Sequence, residues 1–210
     1  MRGRGGAKRT LLPLLGCAIL QLLSHLAATG AAEALPGPPL SSEAAELAKR
    51  ALTNHPHTLP VPHLRRGLVY QGANYRLRRI VNDLLSSKRV VKVGIIGGSI
   101  SWGEGASDRG LNDWSSVLRD WLHTTFGKER VQLRNGCIPG SPSHFMVLCL
   151  EKSVELDVDV VFAEYLVNDG YDDKISVNAP TRNYERLVRR VLALPSRPAL
   201  VMMQVGREGP

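Results

Sequence analysis

Val90-Val91-Lys92-Val93-Gly94-Ile95-Ile96-Gly97-Gly98-Ser99-Ile100-Ser101-Trp102-Gly103 is the stretch whose reading decides the fold. Its first eight residues are mostly β-branched and apolar, the signature of a buried strand over Val90–Gly97. Gly97 and Gly98 stop the run, and Ser99 follows at once. A strand buried on both faces belongs to a parallel sheet, and the carboxyl ends of such strands face the ligand crevice. Glycines at that end let the chain turn sharply and let another group come close. Ser99 therefore stands where a reactive hydroxyl is useful.

Outward from this strand the pattern alternates. Before it, Gln71–Ser87 places Tyr75, Leu77, Ile80, Val81, Leu84 and Leu85 near helical spacing, with Arg76, Arg78 and Arg79 on the other side. After it, Asp113–Thr125 predicts a helix capped by Asn112 or Asp113. A short strand follows over Val131–Arg134, then a helix over Ser143–Lys152 with Ser141 or Ser143 at its start. Val158–Tyr165 reads as a strand, Thr181–Leu194 as a helix and Ala199–Val205 as a strand. Strands alternating with helices predict an α/β fold, a three-layer α/β/α, flavodoxin-like parallel sheet. There are no internal repeats.

The 210 residues are enough for one domain and a tail. Arg2, Arg4, Lys8 and Arg9 precede an apolar stretch, Leu11 to Ala28, and small residues at 28–32. This is the pattern of a secretory signal. An uncleaved anchor through residues 11–28 and a transit peptide are the alternatives, the latter because no acidic residue precedes Glu33. The expected organisation is signal or anchor over 1–32, a Pro/Ala-rich linker over 33–66 with a short helix within Glu43–Leu52, and an α/β domain over 67–210. The net charge of +8 comes largely from the N-terminus and from Arg65 to Arg89. Aromatics make up only 5 % and do not interleave with basic residues, so nucleic acid is not expected as a partner. Cys137 and Cys149 remain after removal of a signal holding Cys17; a disulfide and two buried free thiols are both open.

Three groups fall at the ends of successive strands: Ser99, the Asn135–Gly140 loop, and Asn168-Asp169-Gly170. In a parallel sheet these ends share one rim. A serine hydroxyl, the N–H groups of Ser99 and Gly140, and the Asn168 amide there suit acyl transfer through an oxyanion. Two other uses of the glycines fail. A phosphate-binding loop needs Lys where Glu104 stands, and the α/β-hydrolase elbow needs Gly where Ser101 stands. Several residues have blander readings. His55, His57 and His63 sit among prolines in what reads as an extended segment, and no metal is expected there. Asp172 and Asp173 read as loop solvation. Glu164 either orients the pocket or is a paired charge, and Trp102 and Trp114 read as core before substrate platform.

Gly97-Gly98-Ser99-Ile100-Ser101-Trp102-Gly103 resembles the first block of the SGNH (GDSL-type) hydrolases, with Gly98 in place of the usual Asp. Asn135-Gly136-Cys137-Ile138-Pro139-Gly140 is similar to the second block, whose oxyanion glycine matches Gly140 and not Gly136. Val160–Asp169 resembles the third, with Asn168 as the oxyanion amide. The resemblance covers about Val90 to Val205. It implies the SGNH hydrolase fold with its C-terminal part missing, and a secreted or membrane-anchored esterase of the secretory pathway. The implied substrate is an acyl or acetyl ester on a glycan or small molecule, with Ser99 as nucleophile and no cofactor. The family's fourth block, Asp-x-x-His, has no match, and the last histidine is His144 beside the second block. A catalytically incomplete binding module or truncated isoform, and an acyltransferase using the same serine, are the alternatives.

Overall fold

The computed structural model describes residues 41–53, 60–86, 89–170 and 178–205. The expected signal or anchor, Cys17, His55, His57, Asp172 and Asp173 lie outside the described residues. Among the described residues no helix is long and apolar enough to cross a membrane. The chain forms two compact units, one from residues up to Val90 with Val117–Val131, the other from Val91–Ser116 with Gln132–Pro210.

In the first unit, α1 (Ser42–Thr53) is the short helix expected inside the Pro/Ala-rich segment. Ala44, Ala48 and Ala51 lie four and three residues apart, so they share one helical face, and all three are buried. Ser41 caps the helix by accepting from the Ala44 N–H at 3.2 Å. A second helix, α2 (Val61–Arg66), occupies residues expected to be extended. The correction has a simple cause: Pro62 sits in the first turn, where a missing N–H costs no intrahelical bond. The third helix, α3 (Tyr75–Ser86), packs against α1 and buries Leu77, Ile80, Val81, Leu84 and Leu85 as its periodicity requires. Tyr75 departs from the expected face and is exposed. The α3 carbonyls of Asp83 and Leu84 have no partner further along the helix. Arg130 Nη2 satisfies them at 2.8 and 3.2 Å.

The second unit holds the sheet. Its strands are β1 (Val91–Gly97), β2 (Val131–Asn135), β3 (Val160–Glu164) and β4 (Ala199–Met202), in the order β2-β1-β3-β4. The helices following these strands are α4 (Ser99–Trp102), α5 (Trp114–Phe126), α6 (Ser143–Ser153), α7 (Leu166–Asp169) and α8 (Ala179–Leu192). β1 pairs parallel to β3, with Gly97 opposite Glu164, and β3 pairs parallel to β4. The architecture is the expected α/β sheet with flanking helices.

Strand alternation sorts the core. Ile96, Val161 and Ala163 face Met146, Leu150 and Val154 from α6 and its C-terminal flank, and Leu187 and Val191 from α8. Met146 and Leu150 are wholly buried, so truncating either to Ala costs about 2–5 kcal/mol. Gly94 is what lets this layer close: a Cβ there would stand 2.7 Å from Val154 Cγ1. Phe162 points to the opposite face and meets the Trp114 ring edge-on at 6.3 Å. Trp114 is thus core, as expected.

α8 begins at Ala179, two residues before the expected Thr181. Asn178 Oδ1 accepts from the Thr181 N–H at 2.9 Å, and Pro180 is preset for a first turn. α6 starts at Ser143, with Ser141 two residues before it, as expected; Pro142 is its N-cap residue and makes no side-chain bond. The Ser141 hydroxyl donates to the Ile138 carbonyl at 2.7 Å.

Candidate active site

The chain leaves β1 toward β2 on one side and returns to β3 on the other. The strand order therefore reverses between β1 and β3, and ligand crevices in open α/β sheets lie at such a point. Ser99 follows β1 and Asn168 follows β3.

Ser99 is half-buried and opens α4, a single turn. Its carbonyl accepts from the Gly103 and Glu104 N–H groups at 3.2 and 2.9 Å, and the Trp102 N–H donates to the Gly98 carbonyl at 3.0 Å. The two glycines before it are each required by a neighbour. A Cβ on Gly97 would stand 2.7 Å from the Glu164 carbonyl oxygen and 3.0 Å from Ser101 Cβ. A Cβ on Gly98 would collide with the Asn168 side chain, with Cγ at 2.6 Å, Nδ2 at 2.9 Å and Oδ1 closer still. The structure thus brings the first and third blocks into contact through the Gly98 Cα and the Asn168 amide.

The second block is tied to the first along the backbone. The Gly136 N–H donates to the Ile95 carbonyl at 2.9 Å and the Ile138 N–H to the Gly97 carbonyl at 3.0 Å. Gly136 packs on the backbone of Ser153, where an added Cβ would lie 2.8 Å from the carbonyl carbon. Gly140, two residues beyond the anchored Ile138, is exposed, has φ of 71°, and has open space around it.

Asn168 sits on α7, whose Asn168 and Asp169 N–H groups both donate to the Tyr165 carbonyl, at 3.0 and 2.8 Å. Asp169 Oδ1 accepts from the Ser143 N–H at 2.7 Å. The side chain beside Asn168 thereby supplies the cap that α6 lacks in its own sequence.

A polar network stiffens the rim from behind. Asn135 Nδ2 donates to the Ser101 carbonyl at 2.8 Å and to Ser115 Oγ at 2.9 Å, while Asn135 Oδ1 accepts from the Cys137 N–H at 3.1 Å. Ser115 Oγ in turn donates to Asp113 Oδ1 at 2.5 Å. Asp113 caps α5 by accepting from the Ser116 N–H at 2.9 Å, and also takes the Ser116 hydroxyl and the Gly110 N–H at 2.7 and 2.6 Å. Burial alone would raise the Asp113 pKa. These four donors outweigh it and lower the value from 3.8 to about 2.

Burial dominates elsewhere. It pushes the Cys137 thiol and the Tyr165 phenol well above their ordinary values. Cys137 is a buried free thiol and Cys149 a half-buried one, so there is no disulfide between them. Glu164 is raised chiefly by burial; the Ser101 hydroxyl opposes this and the nearby Asp169 adds to it. Glu164 is not a paired charge: among the described residues its one recorded partner is Ser101. Trp102 is half-buried and carries the Arg109 guanidinium 3.4 Å over its ring. His144, the one histidine of the second unit's sequence, is exposed on the first turn of α6. No group of three or more His, Cys, Asp or Glu that could hold a metal ion occurs among the described residues.

Asp113 is one of the two caps expected for α5; sequence reasoning missed the supporting roles of Ser101, Asn135 and Asp169. The one available signal was Glu164, a charge inside an otherwise apolar strand.

Among solved structures, a two-domain esterase active on acetylated mannans, co-crystallised with mannopentaose, is similar at 27 % identity with a TM-score of 0.58. The match covers 66 % of this chain and 36 % of that one, so this chain spans about a third of the esterase's length. An acetylxylan esterase from Geobacillus stearothermophilus is similar at 17 % identity over 54 % of this chain and 59 % of its own, with a TM-score of 0.41. No family model matches the chain, and no curated protein matches it.

Proposed function

We propose that the rim around Ser99 belongs to an SGNH-type serine esterase that removes an acyl group, acetyl foremost, from a glycan or small-molecule ester. The observation that carries this reading is the contact of the Gly98-Ser99 turn with the Asn168 amide at the β1/β3 switch point. Ser99 is assigned as nucleophile. Its own N–H, the Gly140 N–H and the Asn168 side chain are assigned to the oxyanion, the type of interaction that contributes about 3 kcal/mol per donor to lowering an acyl-transfer barrier. The mannan esterase, whose fold this chain shares over two thirds of its length, supports a glycan as the alcohol component.

A serine nucleophile needs a proton acceptor within hydrogen-bond reach. Among the described residues no hydrogen bond joins the Ser99 hydroxyl to such a base. The resemblance places it in an Asp-x-x-His block after the last strand matched, so the activity belongs to a protein that carries that block. The basic and then apolar N-terminus supports action in the secretory pathway, free or anchored through residues 11–28.

The test is hydrolysis of p-nitrophenyl acetate and of acetylated manno-oligosaccharides by the protein extended with the fourth block. Turnover that vanishes in Ser99→Ala supports the reading; undiminished turnover in that variant overturns the nucleophile assignment. The lack of such a bond among the described residues also favours a second reading, a module that holds an acetylated glycan without cleaving it. Saturable binding of the intact ester with no acetate released distinguishes it.

A further inference from the structure

Glu164 ends β3 with 1 % of its surface exposed. Its Oε2 accepts from the Ser101 hydroxyl at 3.1 Å, and its Oε1 is buried with no partner among the described residues. A carboxyl buried with one hydrogen bond costs stability, and a fully apolar side chain would pack there more favourably. A buried carboxyl with an unpartnered oxygen beside a candidate site points to a role there.

What it holds is α4. Ser101 is wholly buried two residues after Ser99. Its side chain is tied to β3 through Glu164, and its carbonyl is tied to the end of β2 through Asn135 Nδ2 at 2.8 Å. Gly97 completes the interlock. It lies opposite Glu164 in the ladder, and a Cβ on it would press on Ser101 Cβ at 3.0 Å and Oγ at 3.2 Å. A four-residue helix has too few internal bonds to keep its own orientation. Two side chains from neighbouring strands therefore hold the turn that begins with Ser99.

We propose that Glu164 is a positioning residue that fixes α4, through the Ser101 hydroxyl, and so sets the place of the Ser99 hydroxyl relative to Asn168. Its consequence for rate rests on the esterase reading above; the positional part rests on the geometry alone.

The experiment compares the protein carrying the fourth block with its Glu164→Leu, Glu164→Gln and Ser101→Ala variants in two readouts. One is hydrogen exchange of the Trp102, Gly103 and Glu104 amides, which donate within this turn. The other is the rate at which a fluorophosphonate labels Ser99. Glu164→Leu and Ser101→Ala are expected to raise exchange at these amides about tenfold and to slow labelling about tenfold or more, since small misplacements of reacting groups are amplified in rate. Glu164→Gln keeps a carbonyl acceptor for Ser101 and is expected to stay within about threefold in both. Wild-type exchange in a folded Glu164→Leu, or equal damage in Glu164→Gln and Glu164→Leu, overturns the proposal. If Glu164→Leu does not fold, Ser101→Ala decides alone, and its wild-type exchange overturns the proposal. If the wild type is not labelled at Ser99, the esterase reading falls, while the exchange comparison still decides the positional claim.

Discussion

The glycines at the ends of β1 and β2 do opposite work. Gly97, Gly98 and Gly136 are crowded: each lies against a neighbour that an added Cβ would strike. Gly140 stands in open space and is glycine for its left-handed backbone, with φ of 71°. The crowded glycines belong to the part of the rim that is locked by contacts. The open one belongs to the part that is free to meet a ligand. On the proposed reading of Ser99, a turn held by contacts beside an accessible second loop is the arrangement expected where a hydroxyl must stay in place while a substrate enters.

Substitutions at these positions test the contrast directly. Gly98→Ala has the largest expected effect. Its Cβ can be accommodated only by rotating Asn168 away; on the proposed assignment of Asn168 to the oxyanion, ester turnover falls about 100-fold, or about 3 kcal/mol in barrier. The melting temperature should move little, because a side chain can yield. Turnover unchanged in Gly98→Ala breaks the link between Gly98 and Asn168. Gly136→Ala sharpens the comparison from the other side. Its Cβ meets the Ser153 backbone, which cannot rotate away, so a loss of about 2–3 kcal/mol in urea-measured stability is expected.

Asp113 supports the locked region from below, and pH probes it. Its folded pKa of about 2 lies below the ordinary 3.8, so its stabilisation is present above the ordinary value and is lost as pH falls toward 2. The amount is about 2 kcal/mol. Chemical denaturation at pH 5 and pH 2.5 should show this loss in the wild type and a correspondingly smaller one in Asp113→Asn. Equal slopes in the two proteins contradict the capping network. Gly140→Ala has the smallest expected effect, about 1 kcal/mol of backbone strain, because nothing surrounds the added methyl. A loss as large as that of Gly136→Ala erases the distinction.

Much of this frame was legible in the residues themselves. The Val90–Gly97 run forecast β1 to within one residue, and the spacing of Leu77, Ile80, Val81, Leu84 and Leu85 forecast the buried face of α3. Those signals are local: a strand or helix face repeats every two or three to four residues, so its period can be read from the chain alone. The positions of Ser99 and Asn168 at strand ends were legible for the same reason. What was not legible is long-range. Ser101 and Glu164 are 63 residues apart, and Ser143 and Asp169 are 26 apart. No local pattern announces that the Asp169 carboxylate caps α6. Pro62 misled, since a proline halts a helix interior but suits its first turn. The need for Gly98 was read as a family variation, and only the Asn168 side chain lying against it supplies the physical cause.

The central claim is that Ser99 is the nucleophile at the β1/β3 switch point, and trapping the covalent intermediate tests it most directly. After incubation of the protein carrying the fourth block with p-nitrophenyl acetate and an acid quench, peptide mass spectrometry should find one acetyl group, on Ser99. It should be absent in Ser99→Ala and strongly reduced in Gly98→Ala. Ester turnover at the wild-type rate in Ser99→Ala, or an acetyl group that forms on another residue at the catalytic rate, would contradict the account.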